Sequence, residues 1–457
     1  MKYHFIGIGG IGMSAIAQYF ALKGNDVSGS DRMYDSNPEN IKFNILKEQG
    51  IKLYQQDGSK INNSIDRIVI TPAIEMDNPD KERANELGIK ICARTEVLAG
   101  IFNDFTRKIA VSGTSGKTTV TAMIVHCLNE LGCDVTAFVG GFLNNKLKCE
   151  GLGNVCVGQS DICVIEADES DGRLELYKPS IGVITSLSND HLDIEKMKQV
   201  IRGFSDNVED VLIVNGDIKS LNTAINKSEL KYIFGLSDDN NMQAKDIKLY
   251  GTYVKFYING VSFRVNGPGI YTVMNALAAC CVVEYIGFSL EKISRVLKSY
   301  KGVKRRFDIL GEEGGVTVVD DYAHNPEKIY SAITAAKINR KRIMAVFQPH
   351  GYAPTKMMWS ELVETFAKAI RVQDVLIILD VYYAGGTVDR SFSSSDIAAA
   401  VLKENRKLDV NYCHTREEAL SKIKEESVSG DLILIMGARD ETLSDYAADI
   451  LKSIKYR

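Results

Sequence analysis

The stretch RKIAVSGTSGKTTVTAMIVHCLNELG, residues 107–132, decides the fold. It opens on a short apolar run, breaks at a glycine turn and continues as a long run with helical periodicity that closes on Gly132. Strand, turn and helix in immediate succession form the repeating unit of a parallel α/β sheet.

The turn itself carries chemistry. Gly113 and Gly116 free the backbone to wrap phosphates, with Thr114 and Ser115 between them. Lys117 can reach β- and γ-phosphates, the Thr118 hydroxyl can bind Mg²⁺, and Thr119 follows in the same helical turn. The strict spacing of a phosphate-binding loop would put a glycine where Val111 stands, so this is the shortened, ligase-type form GTxGKT.

Outward from this unit, strands and helices alternate over most of the 457 residues, a length that fits roughly three domains at ~150 residues each. Upstream, YHFIGIGGIGMSAIA places Gly7, Gly9 and Gly12 in GxGxxG spacing after a strand, and Asp31 closes the next strand. This pattern suits a dinucleotide or a nucleotide sugar; a tight turn without a ligand is the plainer alternative. Downstream, the strand DICVIEADES ends in Glu166, Asp168, Glu169 and Asp171, an acidic tip that a cation would relieve. The next strand ends in SNDH, offering His191. Residues 246–268 alternate apolar and polar, with Asn259-Gly260 as a hairpin turn. The last third carries RRFD, with Arg305 and Arg306, then DDYAHNP, with Asp320, Asp321, His324 and Asn325 before Pro326, and then FQPHGYAPTK. His126, Cys127, Trp359 and the Met357-Met358 pair read as packing.

Composition narrows the function classes. Hydrophobic residues make up 45% and the net charge is −4, so nothing favours nonspecific nucleic-acid binding. Nine cysteines without a CxxC pair read as reduced thiols rather than a disulfide framework or a zinc site, and no apolar run is long enough for a membrane span. The expected setting is cytoplasmic, as a monomer or dimer, with small-molecule partners and no nucleic acid or membrane.

The ordered set GIGGIG, GTSGKTT, EADESD, NDH, RRFD, DDYAHNP and FQPH resembles the Mur ligase family, in particular its alanine-adding members, over essentially the whole chain. The resemblance implies an α/β protein of three domains: a Rossmann-like UDP-sugar domain at 1–105, a central ATP-binding domain at 106–300, and a Rossmann-like acceptor domain at 301–457. It implies ATP and Mg²⁺ as cofactors. The implied reaction phosphorylates the lactyl carboxylate of UDP-N-acetylmuramate and joins it to an amino acid, L-alanine first among the candidates.

By match, Gly7, Gly9, Gly10, Gly12, Asp31, Thr71 and Ala73 would line the UDP-sugar site. Gly113 to Thr119, Asn275, Arg306 and Asp321 would contact ATP, and Thr118, Glu166 and His191 would hold metal. Lys117, His191, Arg306, His324 and His350 would be catalytic. Tyr322, His324, His350, Tyr352 and Lys356 would face the acceptor.

Four departures stand out. Ser115 replaces a histidine, and Tyr271 and Thr272 leave only Asn275 of an adenine-side pattern. Arg439 stands where a glycine is usual. Gly351 and Pro354 replace two arginines expected to grip the acceptor carboxylate. Either Lys356 or Arg439 compensates, or the acceptor differs. The rival readings are a paralogue of the same fold using another amino acid or a peptide, a noncatalytic nucleotide sensor, and, from GIGGIG alone, a nicotinamide-dependent oxidoreductase.

Overall fold

The structure, a computed structural model, describes residues 1–145, 151–168, 173–187, 194–225, 231–382 and 392–455. The chain divides into two compact units. The first holds residues 1–247, 256–265 and 273–303; the second holds 248–255, 266–272 and 304–457.

Two sheets build the first unit. The smaller takes β1 (Lys2–Ile6), β2 (Asp26–Ser30), β3 (Lys52–Tyr54), β4 (Arg67–Ile70) and β5 (Ile91–Ala93) in the order β3-β2-β1-β4-β5. All its pairings are parallel. The larger takes β6 (Arg107–Ser112), β7 (Thr136–Phe138), β8 (Val155–Cys156), β9 (Ile162–Glu166), β10 (Ile181–Ile184), β11 (Val211–Asn215), β12 (Lys231–Gly235) and β13 (Met242–Gln243). Their order is β13-β12-β11-β10-β6-β9-β7-β8, parallel except for the β7–β8 edge. The strand that opened the reading is therefore central, between β10 and β9.

One apolar core runs through both sheets. Phe5 and Ile8 from the smaller sheet, Met13 and Ile16 from the helix Ile11–Leu22, and Cys163 and Ile165 from β9 belong to a single buried cluster. Within it lies a polar seam. Gln18 Nε2 donates to Asn154 Oδ1 at 2.9 Å, and Asn154 Nδ2 donates to the Ile11 carbonyl at 2.7 Å. The Leu152 N–H donates to Gln18 Oε1 at 3.0 Å. Gln18 and Asn154 are fully buried, so these bonds replace the water that both amides gave up.

The helix Lys117–Glu130 lies behind β6 and is buried on nearly every face. That forces its one imidazole to find a partner: His126 Nε2 lies 2.9 Å from the Val296 carbonyl. His126 and Cys127 are packing residues, as expected.

A three-stranded sheet follows, β14 (Lys245–Leu249), β15 (Tyr253–Ile258) and β16 (Val261–Asn266). The expected Asn259-Gly260 turn joins β15 to β16 with both residues at positive φ. The additional strand β14 was not separated out in the sequence.

The second unit carries β17 (Asp308–Glu313), β18 (Val316–Asp321), β19 (Ile343–Gln348), β20 (Val375–Leu379), β21 (Asp409–Cys413) and β22 (Leu432–Gly437), in the order β17-β18-β22-β19-β20-β21. Only the β17–β18 edge is antiparallel. After β18, Asn325 caps the helix Pro326–Ala336 by accepting the Lys328 N–H at 2.9 Å, with proline in the first turn. Met358 and Trp359 pack on this unit's core, but Met357 is 89% exposed, which corrects the packing expectation for that residue. A second correction concerns the thiols: seven described cysteines are free, whereas Cys156 is disulfide-bonded.

Candidate active site

The loop after β6 is held from the side by the end of β10. The Thr185 hydroxyl lies 3.1 Å from the Ser112 carbonyl and 2.6 Å from the Ser115 carbonyl. The Ser186 hydroxyl accepts the Ser115 N–H at 2.7 Å and lies 3.1 Å from Thr114 Oγ1. The fit leaves no room for a side chain at Gly113. Its φ is +126°, and an added Cβ would sit 2.4 Å from Thr185 Oγ1. At Gly116, a Cβ would come within 2.6 Å of Asn275 Oδ1, so Asn275 lies against the loop.

Lys117 folds back over this loop. Its Nζ donates to the Gly113 carbonyl at 2.9 Å and lies 3.9 Å from Asp168. Thr118 is buried at the first turn of the helix. Glu166, at the tip of β9, accepts the Gly140 N–H at 2.9 Å, and a Cβ on Gly141 would touch Thr118 at 3.1 Å. Thr118 and Glu166 therefore flank one glycine pair. Their hard oxygen donors fit a Mg²⁺ ion. His191, Glu169 and Asp171 lie outside the described residues.

The glycine turn after β1 is held by charged side chains. Asp31 accepts the Gly9 N–H at 2.8 Å through one carboxylate oxygen and the Met33 N–H at 2.9 Å through the other. Lys42, only 5% exposed, donates to the Gly9 carbonyl at 3.0 Å. The Arg94 guanidinium lies where a Cβ on Gly12 would be, 2.9 Å away. Gly10 precedes the helix Ile11–Leu22 as its N-cap. Beyond β4, Thr71 accepts the Ile74 N–H at 3.1 Å, and Ala73 is exposed beside it.

The second unit gathers its own constellation where β18, β19 and β22 end. Asp321 accepts the N–H groups of Phe307 and Ala323, each at 2.7 Å. Burial nevertheless pushes its carboxyl up to about 6, with Arg306 pulling the other way. Arg305 and Arg306 lie over the Tyr322 ring at 5.1 and 5.2 Å. His324 Nδ1 donates to the Tyr322 carbonyl at 2.8 Å, which leaves Nε2 as the acceptor nitrogen. Its ring meets that of His350 edge-on, centroids 5.0 Å apart. Burial first and the charge of Arg439 second push the His350 imidazole down to about 4, so it is neutral at pH 7. Tyr352 packs edge-on against Phe392, and Lys356 is exposed on the same short helix.

Several of these contacts were absent from the sequence reading. Thr185 and Ser186 left a trace in TSLSNDH, two hydroxyls at a strand end. Lys42 and Arg94 left none, because each comes from a separate helix.

A GTxGKTT loop on the central strand of a parallel sheet, with an acid-tipped strand beside it, defines the class: a P-loop nucleotide-binding α/β protein. Three family models partition the same chain: the Mur ligase catalytic domain at 2–106, the Mur ligase middle domain at 111–283, and the Mur ligase glutamate ligase domain at 305–439. The UDP-N-acetylmuramate–L-alanine ligase of Caldanaerobacter subterraneus subsp. tengcongensis is 35% identical, covering 96% of this chain and 95% of its own. The protein of the same name from a Geobacter species, strain M21, is 34% identical over 96% of this chain and 94% of its own. Among solved structures, UDP-N-acetylmuramate-alanine ligase MurC from Thermotoga maritima matches with a TM-score of 0.82 at 26% identity, covering 100% of this chain and 99% of its own. The chain belongs to the Mur ligase family.

Proposed function

We propose that this protein is an ATP-dependent, ADP-forming carboxylate–amine ligase that joins L-alanine to UDP-N-acetylmuramate in peptidoglycan precursor synthesis. What carries the reading is the GTSGKTT loop braced by the end of β10 in a chain matched along nearly its whole length by relatives of that name. ATP phosphorylates the lactyl carboxylate and leaves as ADP. The amine nitrogen then attacks the acyl carbon, the tetrahedral adduct collapses, and phosphate departs with the bridging oxygen. Phosphorylation is needed because a carboxylate oxygen is too poor a leaving group for an amine to displace.

The residue roles follow from this chemistry. Lys117 and Arg306 meet the charge of the transferring phosphoryl group, and the amides of Gly113 to Thr119 cradle its neighbours. Thr118, Glu166 and His191 would hold Mg²⁺, which would neutralise phosphate charge. Asn275 and Asp321 contact ATP. Gly7, Gly9, Gly10, Gly12, Asp31, Thr71 and Ala73 form the UDP-sugar site within residues 1–105, next to the ATP-binding 106–300. The acceptor site, in 301–457, uses Tyr322, His324, His350, Tyr352 and Lys356. His324, with its tautomer fixed, presents Nε2 to the proton that the attacking ammonium must lose. The setting is cytoplasmic, consistent with the absence, among the described residues, of any helix long and apolar enough to cross a membrane.

Incubation with ATP, Mg²⁺, UDP-N-acetylmuramate and a panel of amines, read by mass spectrometry, tests the reading. An alanine adduct with stoichiometric ADP is expected. No alanine adduct beside a strong adduct from another amino acid or a peptide would replace it with the paralogue reading, which Gly351 and Pro354 motivate.

A further inference from the structure

Four arginines gather at the carboxyl edge of the second unit's sheet: Arg305 and Arg416 are spent on protein partners, and Arg306 lies over the Tyr322 ring with its charge acting on Asp321. Arg305 donates to the Gly437 carbonyl at 2.7 Å and the Asp440 carbonyl at 3.0 Å, and faces Asp320 at 3.4 Å. Arg416 donates to Asp440 at 2.5 Å, to Gln348 Oε1 at 2.9 Å and to Thr442 Oγ1 at 2.9 Å. Lys356 is an exposed point charge rather than a planar fork.

Arg439 is different. It is the second residue beyond the end of β22, between the buried Ala438 and Asp440, yet is itself exposed. Its guanidinium makes no hydrogen bond or ion pair among the described residues. Its backbone holds φ +62°, a conformation that costs a non-glycine residue energy, and its N–H meets the Tyr322 hydroxyl at 3.3 Å. Its charge is felt at the buried His350, whose ring touches His324. An exposed guanidinium without a hydrogen bond or ion pair among the described residues, whose charge reaches His350 and whose backbone N–H meets the Tyr322 hydroxyl, is a site prepared for an anion, and a planar fork suits a carboxylate.

Resting on the function proposed above, we propose that Arg439 binds the α-carboxylate of the incoming amino acid and so selects an α-amino acid as acceptor, with its amine directed toward the His324–His350 pair. The cation that grips the acceptor then comes from the end of β22, not from the FQPHGYAPTK segment.

The test compares L-alanine with L-alaninamide, which keeps the amine and loses the carboxylate, in steady-state assays of ADP release and adduct formation. Wild-type protein should prefer alanine. Arg439→Ala should raise KM for alanine about 30-fold or more, leave KM for ATP, UDP-N-acetylmuramate and alaninamide unchanged, and abolish the preference. Arg439→Lys should recover part of it, which separates a charge role from a folding defect. An unchanged preference in Arg439→Ala, or its loss in Lys356→Ala instead, would overturn the assignment. If wild-type protein ligates another amino acid and not alanine, the functional reading fails first. The carboxylate contact is then read with that amino acid against its own amide, with the same two outcomes.

Discussion

Replacing Gly113 with alanine perturbs the phosphate loop at its tightest point. Two costs add. A φ of +126° is hostile to any Cβ and costs about 1–3 kcal/mol. The new methyl would also lie 2.4 Å from Thr185 Oγ1 and 2.9 Å from the Ser186 nitrogen, so Thr185 must swing away. Its hydroxyl then deserts the Ser112 and Ser115 carbonyls; these keep the Thr185 N–H and the Ser186 hydroxyl as donors, so the lost bonding costs about 0.5–1.5 kcal/mol. The sum is about 1.5–4.5 kcal/mol. Gly132→Ala is the matched control: its φ is +90°, but nothing lies within 4 Å of the added carbon, so only the backbone term of about 1–2 kcal/mol applies. Urea titrations followed by far-UV circular dichroism compare the two. Fluorescence of Trp359, the sole tryptophan, reports on the other unit in the same samples. ATP turnover should collapse in Gly113→Ala and survive in Gly132→Ala. Equal unfolding midpoints for the two variants would refute the argument that the β10 end braces the loop.

Other expectations are briefer. Lys117→Ala should cut the ADP-release rate by about 10²–10³, since the charge it places is not replaced by solvent; a coupled assay of ADP release measures this. His350 and Asp321 should oppose each other in acid. The His350 pKa falls to about 4, so its contribution is present above the unfolded value of 6.5 and is lost as pH drops toward 4. The Asp321 pKa rises to about 6, so its contribution is present below 3.8 and is lost as pH climbs through 6. Between pH 4 and 6, thermal melts of His350→Gln should therefore gain stability relative to wild type as pH falls, and Asp321→Asn should lose it. Asn154→Ala should destabilise the first unit by about 1–3 kcal/mol, because Gln18 Nε2 loses one of its two acceptors and the Ile11 carbonyl loses a donor in a buried seam, as read by urea unfolding.

The sequence carried the fold because its signals are local. GTSGKTT, the apolar strands and the Asn259-Gly260 turn each specify their geometry within a few residues. Asn325 as a cap before Pro326 was legible for the same reason. The bracing of the loop was not. Thr185 lies about seventy residues from Ser115, and only the register placing Ile184 beside Ser112 brings its hydroxyl to the loop. Lys42 and Arg94 reach the first glycine turn from elements whose own patterns announce only amphipathic helices. Asp31 was read from its position alone, and that position does not reveal that both its oxygens accept backbone N–H groups. At FQPHGYAPTK the missing arginine was visible, but the backbone behind it was not. Gly351 sits at φ +74° and ψ 140°, with no side-chain crowding closer than 3.5 Å. The obstacle to an arginine there is conformational rather than steric.

The shared core of the first unit has a consequence for how this protein can be taken apart. Residue 105 separates two sheets in topology, but Phe5, Ile8 and Met13 are solvated by the same apolar cluster that encloses Cys163 and Ile165. A fragment ending there would open that cluster to water and strand Gln18 without Asn154. The two sheets are therefore expected to melt as one cooperative body, and a fragment cut free at that point is expected to aggregate rather than fold alone.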